Sequence, residues 1–287
     1  MKSTLFFLVL IFTITSCTSK TKTVTETSVK AVYLQKDKEI LEQILQLYSN
    51  EKNTATSDLI IKVGTFFKEM PYIAHTLETE PEQLIVNLRE FDCTTFAENV
   101  LAVSRTIKCG TPSFEQFAKE LQSIRYRNGI INGYPSRIHY FSDWIYESNK
   151  RNLIKDVSEE IANIPYTLKV NFMSTHPESY AQLKDTTLIP LIAAQEQEIS
   201  KRKMYFIPEE KIVEFENLLK DGDIAGITTS IKGLDISHVV ILQRVGERIH
   251  ILHASQTANK VILSEETLEE YLKSSKSATG IMVARPL

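Results

Sequence analysis

Apolar residues recur every three or four positions through much of the first half of the chain, which is the spacing of one buried helix face. The helices predicted in this way cover residues 36–47, 57–68, 93–108, 114–126 and 139–149. A short extended or helical piece is expected at residues 84–88. Gly129, Gly133 and Pro135 predict a loop over residues 128–136.

The second half of the chain has a different pattern, with short runs of β-branched and apolar residues separated by turns. Strands are predicted at residues 225–228, 238–243, 250–253, 260–263 and 280–283. Helices followed by a run of short strands are typical of an α+β domain with an antiparallel sheet.

The N-terminal segment has the pattern of an export signal. Lys2 supplies a positive start, and the apolar run over residues 5–14 is too short to span a membrane. Cys17 follows small residues where a cleavage site would lie. We therefore expect residues 1–17 to be a bacterial lipoprotein signal with Cys17 as the lipidated residue. A plain secretory signal with a chance Cys is the alternative.

Composition places one folded domain behind this signal. Residues 18–30 are rich in Ser, Thr and Lys and carry too little apolar surface to fold. We expect a flexible tether over residues 18–35 and one domain over residues 36–287, in the cell envelope on the periplasmic side of a membrane. The net charge of −3, with no Lys/Arg run, gives no reason to expect nucleic acid binding.

Two cysteines remain after Cys17, and we expect both to be free thiols. The segment between Cys93 and Cys109 is a predicted helix, which at about 1.5 Å per residue holds them roughly 24 Å apart. A disulfide needs Cα atoms within about 7 Å of each other. A free thiol in an oxidising compartment favours a functional explanation.

Cys93 is the candidate nucleophile because it stands at a predicted helix start, just after Asp92. The free N–H groups and dipole of a helix N-terminus stabilise a thiolate and lower its pKa, and they can also stabilise a substrate oxyanion. A buried structural cysteine is the ordinary alternative.

A nucleophilic cysteine needs a base, and the base needs a group that orients it. His238 begins one predicted strand and His253 lies on the next, so both can lie on one face of the sheet. His250 should point to the opposite face. It is interpreted as structural, as are His75 and His176, which have no partner pattern. His250 and His253 have a spacing found in some zinc sites, but on a strand their side chains face apart. No HExxH or cysteine-pair spacing is present, so no metal is expected.

Four motifs together resemble the NlpC-type cell-wall hydrolases. They are FDCTTF at residues 91–96, DGDI at 221–224, SHVVI at 237–241 and LHAS at 252–255. The resemblance implies a papain-like fold, with helices first, the nucleophile at a helix start, and an antiparallel sheet that carries the histidines. It implies Cys93 as nucleophile, His238 as general base and then acid, and His253 as the orienting residue, with no cofactor.

A narrower resemblance covers nearly the whole chain after residue 17. PYIAHTLE at 71–78, FDCTTFAENVLAV at 91–103, YPSRIHYFSDW at 134–144 and NFMS at 171–174 are similar to an N-acetylmuramoyl-L-alanine amidase-like branch. This implies cleavage between the lactyl group of N-acetylmuramic acid and L-Ala of the stem peptide, with a preference for the 1,6-anhydro sugar. Val240 departs from the Gly of many relatives, and Lys68-Glu69-Met70 replace an expected Gly before Pro71.

The segment over residues 134–144 indicates the substrate cleft, since aromatic rings can lie against a sugar and Arg137 can pair with a stem carboxylate. A place in the core face of a helix is an equal alternative for Trp144. Asp92 is expected chiefly to shape the helix start. The residues predicted to bind substrate are Asp92, Tyr134, Ser136, Arg137, His139, Tyr140, Trp144 and Ser237.

The expected partners are muropeptides, and a membrane through the lipid anchor, with the protein as a monomer. An endopeptidase of the same fold, cutting between γ-D-Glu and the diamino acid, would have the same triad. A non-catalytic peptidoglycan-binding lipoprotein would carry an inert Cys93. A transglutaminase or acyltransferase would need an amine-acceptor site, which nothing in the chain marks.

Overall fold

Helices occupy most of the first half of the structure, and long strands lie near its C-terminus. The computed structural model describes residues 29–287, so Cys17, the signal and most of the expected tether lie outside the described residues. The helices are α1 Gln35–Leu47, α2 Thr56–Phe66, α3 Cys93–Lys108, α4 Phe114–Arg125, α5 Phe141–Lys150, α6 Ser158–Ala162, α7 Phe172–Thr175, α8 Ile189–Ser200, α9 Ile212–Phe215 and α10 Leu268–Ser274. The strands are β1 Ala31–Val32, β2 Leu84–Ile85, β3 Ile154–Asp156, β4 Ile164–Pro165, β5 Tyr205–Pro208, β6 Ile224–Thr229, β7 Ile236–Val245, β8 Arg248–Ser255, β9 Lys260–Thr267 and β10 Ala278–Pro286.

One eight-stranded sheet organises the molecule. Its order is β4-β5-β10-β6-β7-β8-β9, and β3 pairs with the end of β10. Every neighbouring pair in it is antiparallel. The expected α+β architecture with an antiparallel sheet is therefore confirmed.

Both faces of this sheet are covered, because apolar side chains alternate along its central strands. Val239 and Ile241 of β7 belong to the main core, between the sheet and helices α1 to α5. Val240 and Leu242 point the other way, into a second core with Leu268 of α10.

Helix α3 is buried along most of its length and fixes the position of its first residue. It packs against α2 and α4 and against strands β7 and β8. Phe96, Val100 and Val103 are fully buried. The predicted helix over residues 93–108 is confirmed at both ends. Within residues 29–287, none of the helices is both long and apolar enough to cross a membrane.

The folded region begins earlier in the chain than expected. Ala31 and Val32 pair in parallel with Leu84 and Ile85, and α1 already begins at Gln35. Ala31 also packs against the main core, as its partly buried side chain lies beside that cluster. A tether that extends to residue 35 therefore does not fit, because residues 31–35 already contribute a strand and a helix start.

Gly226 of β6 leaves room for the ring of Phe141 from α5. A Cβ built on Gly226 would lie 2.3 Å from Cδ1 of Phe141 and 2.8 Å from Cγ2 of Ile236. We expect Gly226→Ala to lower the free energy of unfolding by about 1–3 kcal/mol, because a packed core must shift to accept the added methyl group. Denaturant titration measures this. Gly110→Ala is the control, since no atom lies within 4 Å of the added Cβ, and an equal loss in both variants would contradict the packing argument.

Candidate active site

The start of helix α3 is held by a reciprocal cap. The Asp92 carboxylate accepts hydrogen bonds from the backbone N–H of Thr95 at 2.7 Å and from its hydroxyl at 2.9 Å. The Thr95 hydroxyl in turn accepts from the backbone N–H of Asp92 at 2.9 Å. Such a cap contributes about 0.5–2 kcal/mol to helix stability. It places Cys93 as the first helical residue, with free backbone N–H groups beside its thiol.

Strands β7 and β8 bring two histidines together. His238 lies opposite Ile227 of β6, and His253 lies opposite Ile262 of β9, which places both on the sheet face that packs against α10. Their rings are joined by a 2.6 Å hydrogen bond between Nε2 of His238 and Nδ1 of His253. Tyr271 of α10 packs beside both rings, with centroids 6.3 and 5.6 Å away.

Cys93 and His238 line one cleft of about 170 Å³ at the beginning of β7. The Cys93 sulfur lies 3.9 Å from the Thr94 hydroxyl and accepts a hydrogen bond from the backbone of Val239, the residue after His238. Since Nε2 of His238 is engaged by His253, Nδ1 is the ring nitrogen that remains for the thiol. The cleft therefore brings together a thiol and an imidazole that another residue orients, which are the groups that proton exchange needs.

Burial determines the protonation states in this cleft. It raises the pKa of the Cys93 thiol to about 11, and the charge of Asp92 raises it further, although hydrogen bonds from Val239 and Thr94 oppose the change. Burial also lowers the pKa of His238 to about 4 and, together with the charge of His238, that of His253 to about 3. The helix N-terminus was expected to lower the pKa of Cys93. The opposite direction follows because desolvation penalises the thiolate.

The protonation states predict a distinctive pH dependence. The His238 imidazole is neutral and can accept a proton above its pKa of about 4, and it becomes imidazolium as the pH falls through that value. We expect kcat/KM, which reports the free enzyme, to hold down to about pH 4 and then to decline.

The pH dependence of thiol alkylation tests the raised pKa of Cys93. In a Cys109→Ala background, the iodoacetamide reaction rate of Cys93 should keep rising towards its pKa of about 11, since only the thiolate reacts. A rate that already reaches its plateau in acid would indicate a thiolate–imidazolium pair and contradict this prediction.

Most of the residues predicted to bind substrate line this cleft or an adjoining one. Tyr140, Trp144 and Ser237 line the cleft beside Cys93. Asp92 and Arg137 line the adjoining cleft, and His139 lines both. Burial lowers the pKa of His139 to about 3, with a further contribution from the charge of Arg137, so the ring is neutral near pH 7.

Tyr134 and Ser136 do not line either cleft. The Tyr134 ring is buried between Arg137, whose guanidinium carbon is 5.0 Å from its centroid, and His139, whose ring is 4.4 Å away. The Ser136 hydroxyl accepts from the backbone N–H of Asn132 at 2.9 Å and donates to the carbonyl of Gly133. Both side chains make their contacts with nearby residues of the same segment, so direct substrate contact does not follow from their positions.

Tyr140 contributes to the cleft wall while its hydroxyl is already occupied. That hydroxyl donates to Glu196 of α8 at 2.7 Å and accepts from the backbone N–H of Met173 at 2.9 Å. The Trp144 ring stacks on Phe141, with centroids 5.3 Å apart and planes inclined by 12°. Both Trp144 and Phe141 are nearly buried and also line the cleft. Each is therefore a core residue and a cleft residue at the same time.

Sequence reasoning missed a buried carboxylate in this cleft. Asp235 is 1% exposed and accepts hydrogen bonds from the backbone N–H of Ser142 at 2.7 Å and of Ile236 at 2.8 Å. It ties the segment before His238 to the N-terminus of α5, where a negative charge is favourable. Its loop position between Leu234 and Ile236 gave no periodic signal.

Glu98 was also missed, although it leaves a trace in the sequence. It is a charged residue inside the apolar helix α3, it is 2% exposed, and it forms a 2.7 Å ion pair with Arg125 of α4. A charge at a helix position that faces the core indicates a buried partner. Across residues 29–287, no group of three or more His, Cys, Asp or Glu side chains is arranged to hold a metal ion.

Comparison with known proteins gives one family and several structural relatives. The model of the AmiA-like, N-acetylmuramoyl-L-alanine amidase-like family matches residues 62–281. An N-acetylmuramoyl-L-alanine amidase from Bacteroides uniformis is similar, with 36% identity and a TM-score of 0.78 over 80% of this chain and 98% of that one. No curated protein matches this sequence.

Two further solved structures are similar to the chain. A Bacteroides fragilis protein with a provisional xylanase name has 39% identity and a TM-score of 0.75 over 78% of this chain and 99% of that one. A Legionella pneumophila protein shares the fold at 22% identity, with a TM-score of 0.65 over 87% of this chain and 95% of that one.

Proposed function

The chain belongs to the N-acetylmuramoyl-L-alanine amidase-like family, and on that premise we propose that it hydrolyses the bond between the lactyl group of N-acetylmuramic acid and L-Ala of the stem peptide. The observation that carries this proposal is the cleft lined by both Cys93 and His238, whose ring is hydrogen-bonded to His253. A thiol at a helix start, a base and an orienting group are the parts that acyl transfer needs.

We assign the site to the papain-like NlpC type. The support is the chain order of Cys93, His238 and His253, together with a nucleophile at a helix start and histidines on neighbouring antiparallel strands. In this assignment His238 carries its proton on Nε2 and donates it to Nδ1 of His253, which leaves Nδ1 of His238 as the base.

The first half of the reaction forms a thioester. Nδ1 of His238 takes the proton of the Cys93 thiol as the sulfur attacks the lactyl carbonyl. The backbone N–H of Cys93, at the free end of α3, donates to the oxyanion. The imidazolium then protonates the nitrogen of L-Ala, and the carbon–nitrogen bond breaks to release the stem peptide.

The second half restores the enzyme. His238 removes a proton from a water molecule as that water attacks the thioester carbonyl. The carbon–sulfur bond then breaks, and the His238 imidazolium returns the proton to the Cys93 sulfur. The product is the free lactyl carboxylate on the sugar. Because the thiol and the imidazole both start neutral, no charge has to be kept on Cys93 or His238 between turnovers.

The apolar wall of this cleft supports a sugar with few hydroxyl groups as the acyl partner. Ile138, Phe141 and Trp144 form part of that wall. A 1,6-anhydro ring lacks the hydroxyls at carbons 1 and 6 that an ordinary muramic acid carries. It loses less hydration on entering an apolar cleft, so we propose it as the preferred substrate.

We also propose that the protein is an exported lipoprotein anchored through Cys17, on the periplasmic side of a membrane. The support is the sequence of residues 1–17, which ends in small residues and Cys. A monomer held there by a tether would reach muropeptides in the cell envelope.

Mass spectrometry of defined muropeptides tests the proposed reaction. The purified protein is incubated with N-acetylmuramoyl stems that carry either an ordinary or a 1,6-anhydro sugar. Release of an intact stem that starts at L-Ala is the expected result, with faster release from the anhydro substrate. Release of a sugar that keeps L-Ala-γ-D-Glu would identify an endopeptidase instead. Binding without cleavage would identify a peptidoglycan-binding protein, and transfer of the acyl group to an added amine would identify an acyltransferase.

One structural neighbour is named as a xylanase, and a glycoside hydrolase would need a different kind of active site. Glycoside hydrolysis generally uses two carboxyl groups that flank the scissile bond. The acids lining this cleft are Glu98 and Asp235, and both are engaged, one by Arg125 and the other by the start of α5. We therefore expect no release of reducing sugar from xylan.

A further inference from the structure

A second cleft adjoins the one beside Cys93, and the two differ in chemical character. Their volumes are similar, about 170 and 160 Å³, and both have Thr94 and Glu98 in their walls. The first is lined largely by apolar side chains such as Trp144. The second is lined by several charged side chains. The two clefts are therefore suited to chemically different parts of a substrate, although their sizes are similar.

Arg125 contributes one guanidinium group to the second cleft. Its side chain is 1% exposed, and Nε donates to Glu98 at 2.7 Å while Nη1 donates to the carbonyl of Ile85 at 2.6 Å. The remaining nitrogen, Nη2, is buried and has no hydrogen-bond partner among the described residues. A buried donor without a partner is unfavourable, and a ligand that accepts from it removes this penalty.

Arg137 contributes a second guanidinium group to the same cleft. It is 6% exposed, with Nη1 3.5 Å from Glu78 and Nε 3.3 Å from Glu82. Its Nη2 also lacks a hydrogen-bond partner within the described part of the chain. Two buried guanidinium groups with spare N–H donors thus line one cleft, and the planar fork of such groups matches a carboxylate.

Acidic side chains contact both arginines, with Glu98 against Arg125 and with Glu78 and Glu82 against Arg137. Burial raises the pKa of Glu82 and of Glu98 above the usual range, although the neighbouring arginines oppose the shift. Each acid is therefore more readily protonated than a solvated glutamate. A protonated acid leaves the arginine charge available to an incoming anion.

We propose that this second cleft binds the free α-carboxylate of the γ-linked D-Glu that follows L-Ala in the stem, through Arg125 and Arg137. The inference rests on the proposed function and sets the direction of the substrate. The sugar lies in the apolar cleft, and the stem leaves past the start of α3 towards the two arginines. Two residues of extended chain span at most about 7 Å, and the clefts meet at Thr94, next to the nucleophile.

Calorimetry with the full-length Cys93→Ala protein separates binding from catalysis. The two ligands are 1,6-anhydro-N-acetylmuramoyl-L-Ala-D-Glu with its γ-carboxyl capped as an amide, and the same compound with its α-carboxylate also replaced by an amide, so they differ only in the α-carboxylate. We expect the amide to bind about 10- to 100-fold more weakly, the factor of a charge-assisted hydrogen bond. Arg137→Gln in the same background should weaken binding of the carboxylate ligand and bring the ratio of the two Kd values close to one.

Two further variants control for loss of an arginine and for misfolding. Arg105→Gln removes the partner of Glu120, on the same helix as the nucleophile and outside both clefts, and should keep the Kd ratio. Arg125→Lys keeps the charge without the fork and should reduce the ratio.

Equal binding of the two ligands would overturn the assignment. So would a ratio that survives in both Arg137→Gln and Arg125→Lys. If the Cys93→Ala protein discriminates as expected but the wild type cleaves neither ligand, the proposed hydrolysis fails and the carboxylate site stands.

Discussion

Replacing Cys93 with alanine should abolish turnover, with kcat reduced by a factor on the order of 10⁶, as when the nucleophile of a hydrolase triad is removed. Cys93 is the one thiol among the residues that line the cleft, and His253 holds the ring of the proposed base, His238. The oxyanion donor at the start of α3 would remain and support only residual hydrolysis. Release of stem peptide from the anhydro muropeptide, followed by mass spectrometry, measures the loss.

Cys109→Ala is the matched control for that experiment. Cys109 stands at the opposite end of the same helix, just past Lys108, and it does not line the cleft beside Cys93. Its removal should leave kcat within a few-fold of the wild type. Thermal melting of both variants would show that each is folded. A Cys93→Ala protein that keeps substantial activity would exclude the thioester mechanism.

Replacing His238 with alanine should reduce kcat by a comparable factor, because the neutral thiol of Cys93 then has no base. The pKa of that thiol is about 11, so very little thiolate exists near neutral pH without proton transfer. Since nucleophile and base act as one unit, the double variant Cys93→Ala/His238→Ala should be no slower than either single variant. Added imidazole would be expected to restore part of the activity of His238→Ala alone.

His250→Ala is the control for this second prediction. It removes an imidazole from the same sheet, where Nδ1 of His250 bonds to the carbonyl of Ser264 rather than to a group in the cleft. We expect its kcat to remain close to that of the wild type. Multiplicative losses in the double variant, or equal losses in His238→Ala and His250→Ala, would argue against a Cys93–His238 unit.

The raised pKa of Cys93 also bears on how a free thiol would persist in an oxidising compartment, where the proposed export would place it. Oxidation and disulfide exchange proceed through the thiolate, which burial disfavours here. The second thiol, Cys109, lies at the other end of α3, too far from Cys93 for a disulfide, and both thiols are free in the structure. In the proposed mechanism, Cys93 is therefore activated only when His238 takes its proton.

The candidate nucleophile and base could be identified from the sequence because each stands at an element boundary that local rules define. Asp92 is a favourable N-cap, so the helix start at Cys93 was predictable and is confirmed. The β-branched run after His238 likewise predicted strand β7, which begins slightly earlier, at Ile236. Their catalytic roles remain a prediction for the variants above.

The segment between α5 and β6 was largely beyond sequence reasoning. It contains the short helices α6, α7 and α9, three short strands, and α8. Only Ile192, Glu196 and Ile199 of α8 are buried, and the two isoleucines belong to a small third apolar cluster. Short elements carry little periodic signal. Their formation depends on contacts such as that of Glu196 with Tyr140, which are distant in the chain.

The positions of the main helices and central strands could be predicted from the amino-acid sequence, since the period of apolar residues follows from the geometry of each element. The surroundings of the Cys93 thiol could not be predicted, because they form only when the chain folds. In the folded chain the Ser136 hydroxyl stabilises a turn, and Arg125 pairs with Glu98. Burial shifts the pKa values of Cys93 and His238 so that both side chains are neutral. Desolvation and ion pairing depend on every group within a few ångströms, whatever its position in the chain, and no local pattern records them.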